Sequence, residues 1–177
     1  PIRSDLLSTI LAYDDARGTP LANAPHSGYQ RFESAGTVVV MDTGRAPPMP
    51  VSQEAHAGCL SFEFSTKQYR MVVNCGLPAT SRESWRQVAR ATAAHSTATL
   101  NDTSSCRFIE SAAVKRMLSG TPMVGGPREV AVSREEQGGG VLLRTSHNGY
   151  ADVFNVMHQR TLMLAPDGLR LDGEDVF

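Results

Sequence analysis

Five histidines, His26, His56, His95, His147 and His158, are the side chains of this sequence best suited to proton transfer or metal binding. None lies in an HExxH or similar local motif, so any site they form must be assembled from separate segments. His56 opens the stretch "AHAGCLSFEF" (55–64), where a histidine, two small residues and a cysteine precede a regular alternation of apolar and polar side chains. Read alone, a single histidine is most often a hydrogen-bonded structural residue. Arg86 and Arg90 could each grip a carboxylate or sulfate in bidentate fashion, although exposed arginines are more often simply solvated. Trp85, the single tryptophan, most often serves as a core or loop anchor. Cys59, Cys75 and Cys106 cannot all pair within the chain and form no CxxC pattern, so they read as small buried hydrophobes. A P-loop, a GxGxxG after a strand and a GxSxG elbow are absent, which removes nucleotide-binding and α/β-hydrolase readings.

The elements that must position these groups are mostly strands. In "RSDLLSTILAYDDARG", Leu6, Leu7, Ile10, Leu11 and Tyr13 recur at helical spacing, which predicts a helix over about residues 4–16 capped by Ser4 or Asp5. "YQRFES" and "TVVVMDTG" then read as a hairpin turning at Ala35-Gly36, and the proline-rich "RAPPMPVS" as a loop. From Cys59 to Ser65, Leu60, Phe62 and Phe64 alternate with polar neighbours, predicting a half-buried strand that pairs with "YRMVVNCG" through a turn at Thr66-Lys67-Gln68. "SRESWRQVARATAA" predicts one or two helical turns, with Ser81 as cap and Trp85, Val88 and Ala89 on one side. "HSTATLND", "REVAVSRE", "VLLRTS", "DVFNVMHQ", "RTLMLAP" and "LRLDG" read as further strands. Many short strands between turn signals predict a mainly all-β fold, an antiparallel β-sandwich with a short N-terminal helix.

Composition bounds the function classes. The chain has 177 residues, 41% hydrophobic, with a formal net charge of −1. That suits one sizeable core and offers no basic footprint for nucleic acid or an anionic membrane. No stretch approaches the roughly 20 apolar residues that span a bilayer. The start, "PIRSDLLSTI", has neither a basic leader region nor an initiator Met, and reads as a piece of something longer.

Three ordered segments carry a family resemblance: "HAGCLSFEF", then "MVVNCG", then "WRQVARATAAHSTATLND", with "GYQRF" and "HQRTLML" flanking them. Together they resemble the C-terminal β-domain of the heparinase II/III-like polysaccharide lyases, whose pattern runs H-x-H-x-D-x-L-S-F-E, a strand ending in aspartate and glycine, then R-x-T-x-A-H-N-T. The resemblance implies a helical segment over 1–24, a remnant of the family's helical toroid, and an antiparallel sandwich over 25–177, truncated at its C-terminal end. It also implies β-elimination on uronate-containing acidic polysaccharides, which requires the carboxylate to be neutralised and the C5 proton to be taken by a Tyr or His. By this resemblance His56 and His95 would bind zinc, with Asn74 at the position of the metal-binding aspartate. Glu54 would take the position of a catalytic histidine, and Gly58 that of an aspartate. Trp85, Arg86 and Arg90 are the expected substrate contacts, and an acidic polysaccharide is the expected partner. The missing helical domain and further C-terminal strands would belong to the same polypeptide, and a periplasmic location is implied. Glu54 and Asn74 also open a second expectation, a non-catalytic polysaccharide-binding or assembly module that has lost the chemistry.

Overall fold

The computed structural model describes residues 20–77, 82–118 and 120–177. The helix expected over 4–16 and the Ser81 cap lie outside them. Eleven strands form two main antiparallel sheets and one small one among the described residues. The first sheet has the order β1 (Asn23–Ala24), β2 (Tyr29–Ser34), β3 (Thr37–Asp42), β4 (Phe62–Thr66), β5 (Tyr69–Val72). The second runs β11 (Leu171–Val176), β10 (His158–Leu164), β9 (Gly140–His147), β8 (Val130–Gln137). A two-stranded ribbon pairs β6 (Arg107–Phe108) with β7 (Met123–Gly125).

The two sheets close on one core. Phe32, Val39 and Met41 from the first sheet pack with Val141, Leu143, Leu162 and Leu164 from the second, joined by Cys59 and Leu60 between the sheets. Period-two alternation makes this possible, because Phe32, Val39 and Phe64 lie opposite one another across three strands and so share the inward face. The expected mainly all-β antiparallel sandwich is what the chain forms. Its hairpins turn where the backbone goes left-handed: Ala35-Gly36 at φ 48° and 80°, and Gly138-Gly139 at 59° and 84°. Both central residues at positive φ match the twist of the flanking strands.

Other expectations are corrected. The strand expected from Cys59 begins at Phe62, because Leu60 sits at φ 62° in a tight loop with its side chain fully buried. "HSTATLND" is a loop closed by the Leu100–Thr103 bridge, not a strand. "DVFN" belongs to a short helix, α3 (Ala151–Phe154), ending in left-handed Asn155, and the strand starts only at His158. The helix expected near Trp85 is present as α1 (Glu83–Arg90), followed by a 3-10 turn at Thr92–Ala94, but its Trp85 and Val88 are exposed rather than packed. Nothing in the residue pattern announced β6, β7 or α2 (Ala112–Met117). Of the three cysteines, all free, Cys59 and Cys106 are buried as expected and Cys75 is exposed.

One polar network crosses the sandwich. Arg160 on β10 is buried and grips Asp175 of β11 with two bonds, Nε to Oδ1 at 2.8 Å and Nη2 to Oδ2 at 2.7 Å. Its Nη1 donates to the carbonyls of Leu60 (2.8 Å) and Ser96 (2.7 Å) on the other side of the core. Beside it, Gly149 N–H donates to His147 Nδ1 (2.9 Å), which leaves the His147 Nε2–H to donate to His158 Nδ1 (3.1 Å). His158 Nε2 then donates to Asp175 Oδ1 at 2.7 Å. The neutral tautomer this chain requires of His147 agrees with burial, which pushes its pKa down to about 3. His158 therefore pairs across strands, and its ring also stacks on Phe177 at 4.7 Å.

The two partners hold the Asp175 carboxyl well below its ordinary range, against the opposing effect of burial. A depressed carboxylate stabilises the fold above its unfolded pKa and loses that contribution as pH falls. Asp175→Asn should lower stability at neutral pH by about 2 kcal/mol, discounted from a fully buried pair because the carboxylate keeps some solvent contact. Urea unfolding at neutral pH and again at acidic pH should show the difference shrinking on the acidic side.

Candidate functional site

The site is built on a loop and a turn that two buried arginines hold together. The loop, residues 55–61, carries His56, and the 3-10 turn after α1 ends at His95. Arg90, at the end of α1, donates through Nε to the Ala55 carbonyl (2.7 Å), through Nη1 to the Thr121 carbonyl and hydroxyl (both 2.8 Å) and through Nη2 to the Ser52 carbonyl (2.9 Å). Its guanidinium also lies over the Phe108 ring. In return Ala57 N–H donates to the Arg90 carbonyl, and the Thr92 hydroxyl donates to the Ala57 carbonyl. Arg90 is only 2% exposed, so it fixes the His56 loop from inside the fold rather than facing a sugar.

This scaffold brings His56 and His95 into direct contact. His56 Nδ1 lies 3.1 Å from His95 Nε2, with the rings edge to face. His95 Nδ1 donates to the Ala91 carbonyl at 2.8 Å, which aims the His95 Nε2 lone pair at His56. Gly58 leaves room for the contact, since a Cβ there would stand 3.0 Å from His95 Cδ2 and press on the ring. Burial is the leading cause of a lowered pKa for both rings, aided at His56 by the like charge of His95.

The remaining candidates divide. Asn74 lines the same cavity as the two histidines, but its Oδ1 accepts from Ser96 N–H (2.8 Å) and lies 3.1 Å from the Ser96 hydroxyl. Glu54 is exposed and ion-paired with Arg86, which removes Arg86 as a free anion receptor. Trp85 projects from α1 into solvent, outside this cavity.

Two imidazole nitrogens 3.1 Å apart, one ring oriented by a backbone carbonyl, resemble two legs of a tetrahedral zinc set. The third leg is wanting. The Asn74 oxygen is committed to Ser96, and among the described residues no third His, Cys, Asp or Glu completes a metal-holding group with the pair. Among the described residues, then, His56, His95 and Asn74 are the groups that stand where the resemblance implies zinc ligands.

Strand register adds residues that inspection of the sequence missed. Tyr29 of β2 faces Asp42 of β3, and Val40 faces Glu63 of β4, so all four lie on the outer face of the first sheet. Tyr29, Val40, Asp42, Glu63 and Asn74 line a cavity of about 400 Å³ with the histidine pair. A second cavity, about 870 Å³, shares Tyr29, Asp42 and His56 with it and continues past His26 and Arg45. Asp42 Oδ1 accepts from Gly44 N–H (2.8 Å), yet burial outweighs that bond and raises its pKa to about 6. Burial and the nearby Asp42 and Glu63 carboxylates raise the Tyr29 pKa.

Two measurements check this geometry. Both site imidazoles should be neutral at neutral pH and titrate below the ordinary histidine value, which an NMR pH titration of His56 and His95 would read directly; titration above that value would refute the arrangement. A carboxyl whose pKa is raised in the folded state makes the protein less stable as pH climbs from the unfolded value to the folded one. Asp42→Asn, which keeps the bond from Gly44, should therefore stabilise the fold at neutral pH by on the order of 2 kcal/mol and near pH 4 by much less, as read by denaturant midpoints.

Comparison with known proteins agrees with the frame just described. FtsZ-localized protein C of Caulobacter vibrioides (strain NA1000 / CB15N) is 31% identical over 169 residues, covering 96% of this chain and 28% of the relative. The chain thus spans less than a third of that relative's length. No solved structure gives a significant match. Residues 16–177 match the family described as Heparinase II/III-like, C-terminal, and with the His56 and His95 segments in place the chain belongs to that family.

Proposed function

We propose that this chain is the saccharide-binding β-domain of a heparinase II/III-like protein and does not itself carry out the elimination. What supports this reading is the state of the positions where the family places its chemistry. Glu54 is spent on Arg86, Asn74 on Ser96, and Gly58 offers no side chain. The cleft that remains has the size and mixed polar lining of a small-ligand site. The Caulobacter relative's name describes a localisation and not a reaction, which is in keeping with a binding or assembly role.

A second reading, the β-domain of a uronate lyase completed by a helical domain of the same polypeptide, is favoured by one observation. Tyr29 and His56 line a single cleft, and a phenol and a neutral imidazole are the groups that would pass a proton to and from a sugar. In that reading His95→Ala abolishes turnover by the full-length protein.

One experiment separates the two. The full-length protein is incubated with a panel of acidic and neutral polysaccharides, with absorbance reporting unsaturated uronate and affinity electrophoresis reporting retention. Retention of at least one polysaccharide with no unsaturated product is the expected result. Product formation, lost in His95→Ala, would establish the lyase; neither product nor retention would remove the saccharide role altogether.

A further inference from the structure

The charge lining the cleft bears on which saccharide it takes. Among the described residues, the ionisable side chains lining the 400 Å³ cavity are Tyr29, Asp42, Glu63 and the His56–His95 pair, with no lysine or arginine among them. Of the nearby arginines, three are occupied and two line adjoining hollows. Arg90 is buried against carbonyls, Arg86 is held by Glu54, and Arg31 is held by Glu33. Arg70 lines an adjoining hollow of about 190 Å³ that shares Val40 and Glu63 with the cavity, and does not line the cavity itself. Arg45, the single arginine of the larger cavity, is exposed in the loop after β3.

Resting on the saccharide-binding reading above, we propose that the cleft takes an uncharged, hydroxyl-rich sugar, with Asp42 and Glu63 accepting from ring hydroxyls and the Tyr29 ring available to an apolar sugar face. The chemistry follows from the donor and acceptor inventory. A sugar hydroxyl is a donor that a carboxylate accepts strongly, whereas a uronate brings an acceptor-only anion into a wall of acceptors. Its carboxylate would meet two like charges with no cation among the described lining residues to offset them, and like-charge contact is among the costliest mismatches at an interface. The neutral histidine pair adds no positive charge at neutral pH. The Asn74 amide lines the same wall, so the lining combines carboxylate, amide and aromatic groups.

Calorimetric titration of the full-length protein at neutral pH tests the inference, with oligomers of N-acetylglucosamine and of glucose as uncharged probes and oligoglucuronate of matched length as the anionic one. The uncharged series should include a binder at least about tenfold tighter than the uronate. Asp42→Asn combined with Glu63→Gln should narrow that gap by raising uronate affinity and lowering that of the neutral sugar. Circular dichroism checks that this variant is folded, which the expected gain in stability from Asp42→Asn favours. Tighter binding of the uronate by the parent protein, or a gap that the double substitution leaves unchanged, would overturn the inference while leaving saccharide binding intact. Binding of neither probe class, together with no retention of any polysaccharide, would overturn both.

Discussion

The Arg160 guanidinium joins the parts of this molecule that matter most to one another. It arises on β10 of the second sheet, is locked in orientation by Asp175 on β11, and spends its outer nitrogen on two carbonyls beyond the core, those of Leu60 and Ser96. Leu60 closes the loop that carries His56, and Ser96 follows His95 and holds Asn74. Both halves of the site therefore hang from one side chain of the opposite sheet. Leu60 is a bulky residue in a left-handed conformation, a state that persists only where its surroundings over-determine it. Here they do so completely: its N–H donates to the Asp42 carbonyl, its own carbonyl accepts from Arg160, and its side chain is sealed in the core. Arg90 fixes the other end of the same loop from α1, so the histidine pair stands on rigid backbone although it sits outside regular structure.

Much of this was legible in the sequence, and the boundary between what was and was not follows physical lines. The hairpins β2–β3 and β4–β5 were legible because period-two alternation and a left-handed turn are local signals. So was the convergence of His56 and His95, though only through an ordered pattern of three segments. The turn at Ala35-Gly36 fixes a register that sets Tyr29 opposite Asp42, but residue spacing could not show that the two line a cavity with His56. Nor could it show that Arg160 meets Asp175, or that His158 meets His147, across strands that the chain reaches later or earlier. The misread segments share a cause. "HSTATLND" and "DVFN" have strand-like composition, but Ser96 and Thr97 bond to Phe62 and Cys59 across the fold, and "DVFN" closes its backbone bonds within its own helical turn.

The arginines show why residue type alone misleads about ligand charge. Arg86 and Arg90, four apart on one helix, look like an anion-binding pair. In the fold one is neutralised by Glu54 and the other is a structural donor to four oxygens. A carbonyl buried without a donor is expensive, and an arginine supplies several donors in a fixed fork, so a loop-rich site tends to recruit arginines for its own backbone. Among the described residues, the charged side chains left lining the smaller cavity are Asp42 and Glu63, of the opposite sign.

Asp42 gives that sign its meaning. A carboxylate kept in surroundings that favour its neutral form makes the folded state less stable at neutral pH, and nothing in the core requires it, since the bond from Gly44 would survive with an amide. Groups held at such a disadvantage concentrate where a molecule binds or reacts, because an interaction with a bound molecule can repay the loss. Asp42 stands where the two cavities meet, with Tyr29 opposite and His56 beside it. A hydroxyl donated to it from a bound ring would supply the hydrogen bond that the protein withholds, and would hold its charged form in place. The same carboxylate that weakens the empty fold thus becomes the group by which a ligand can strengthen it.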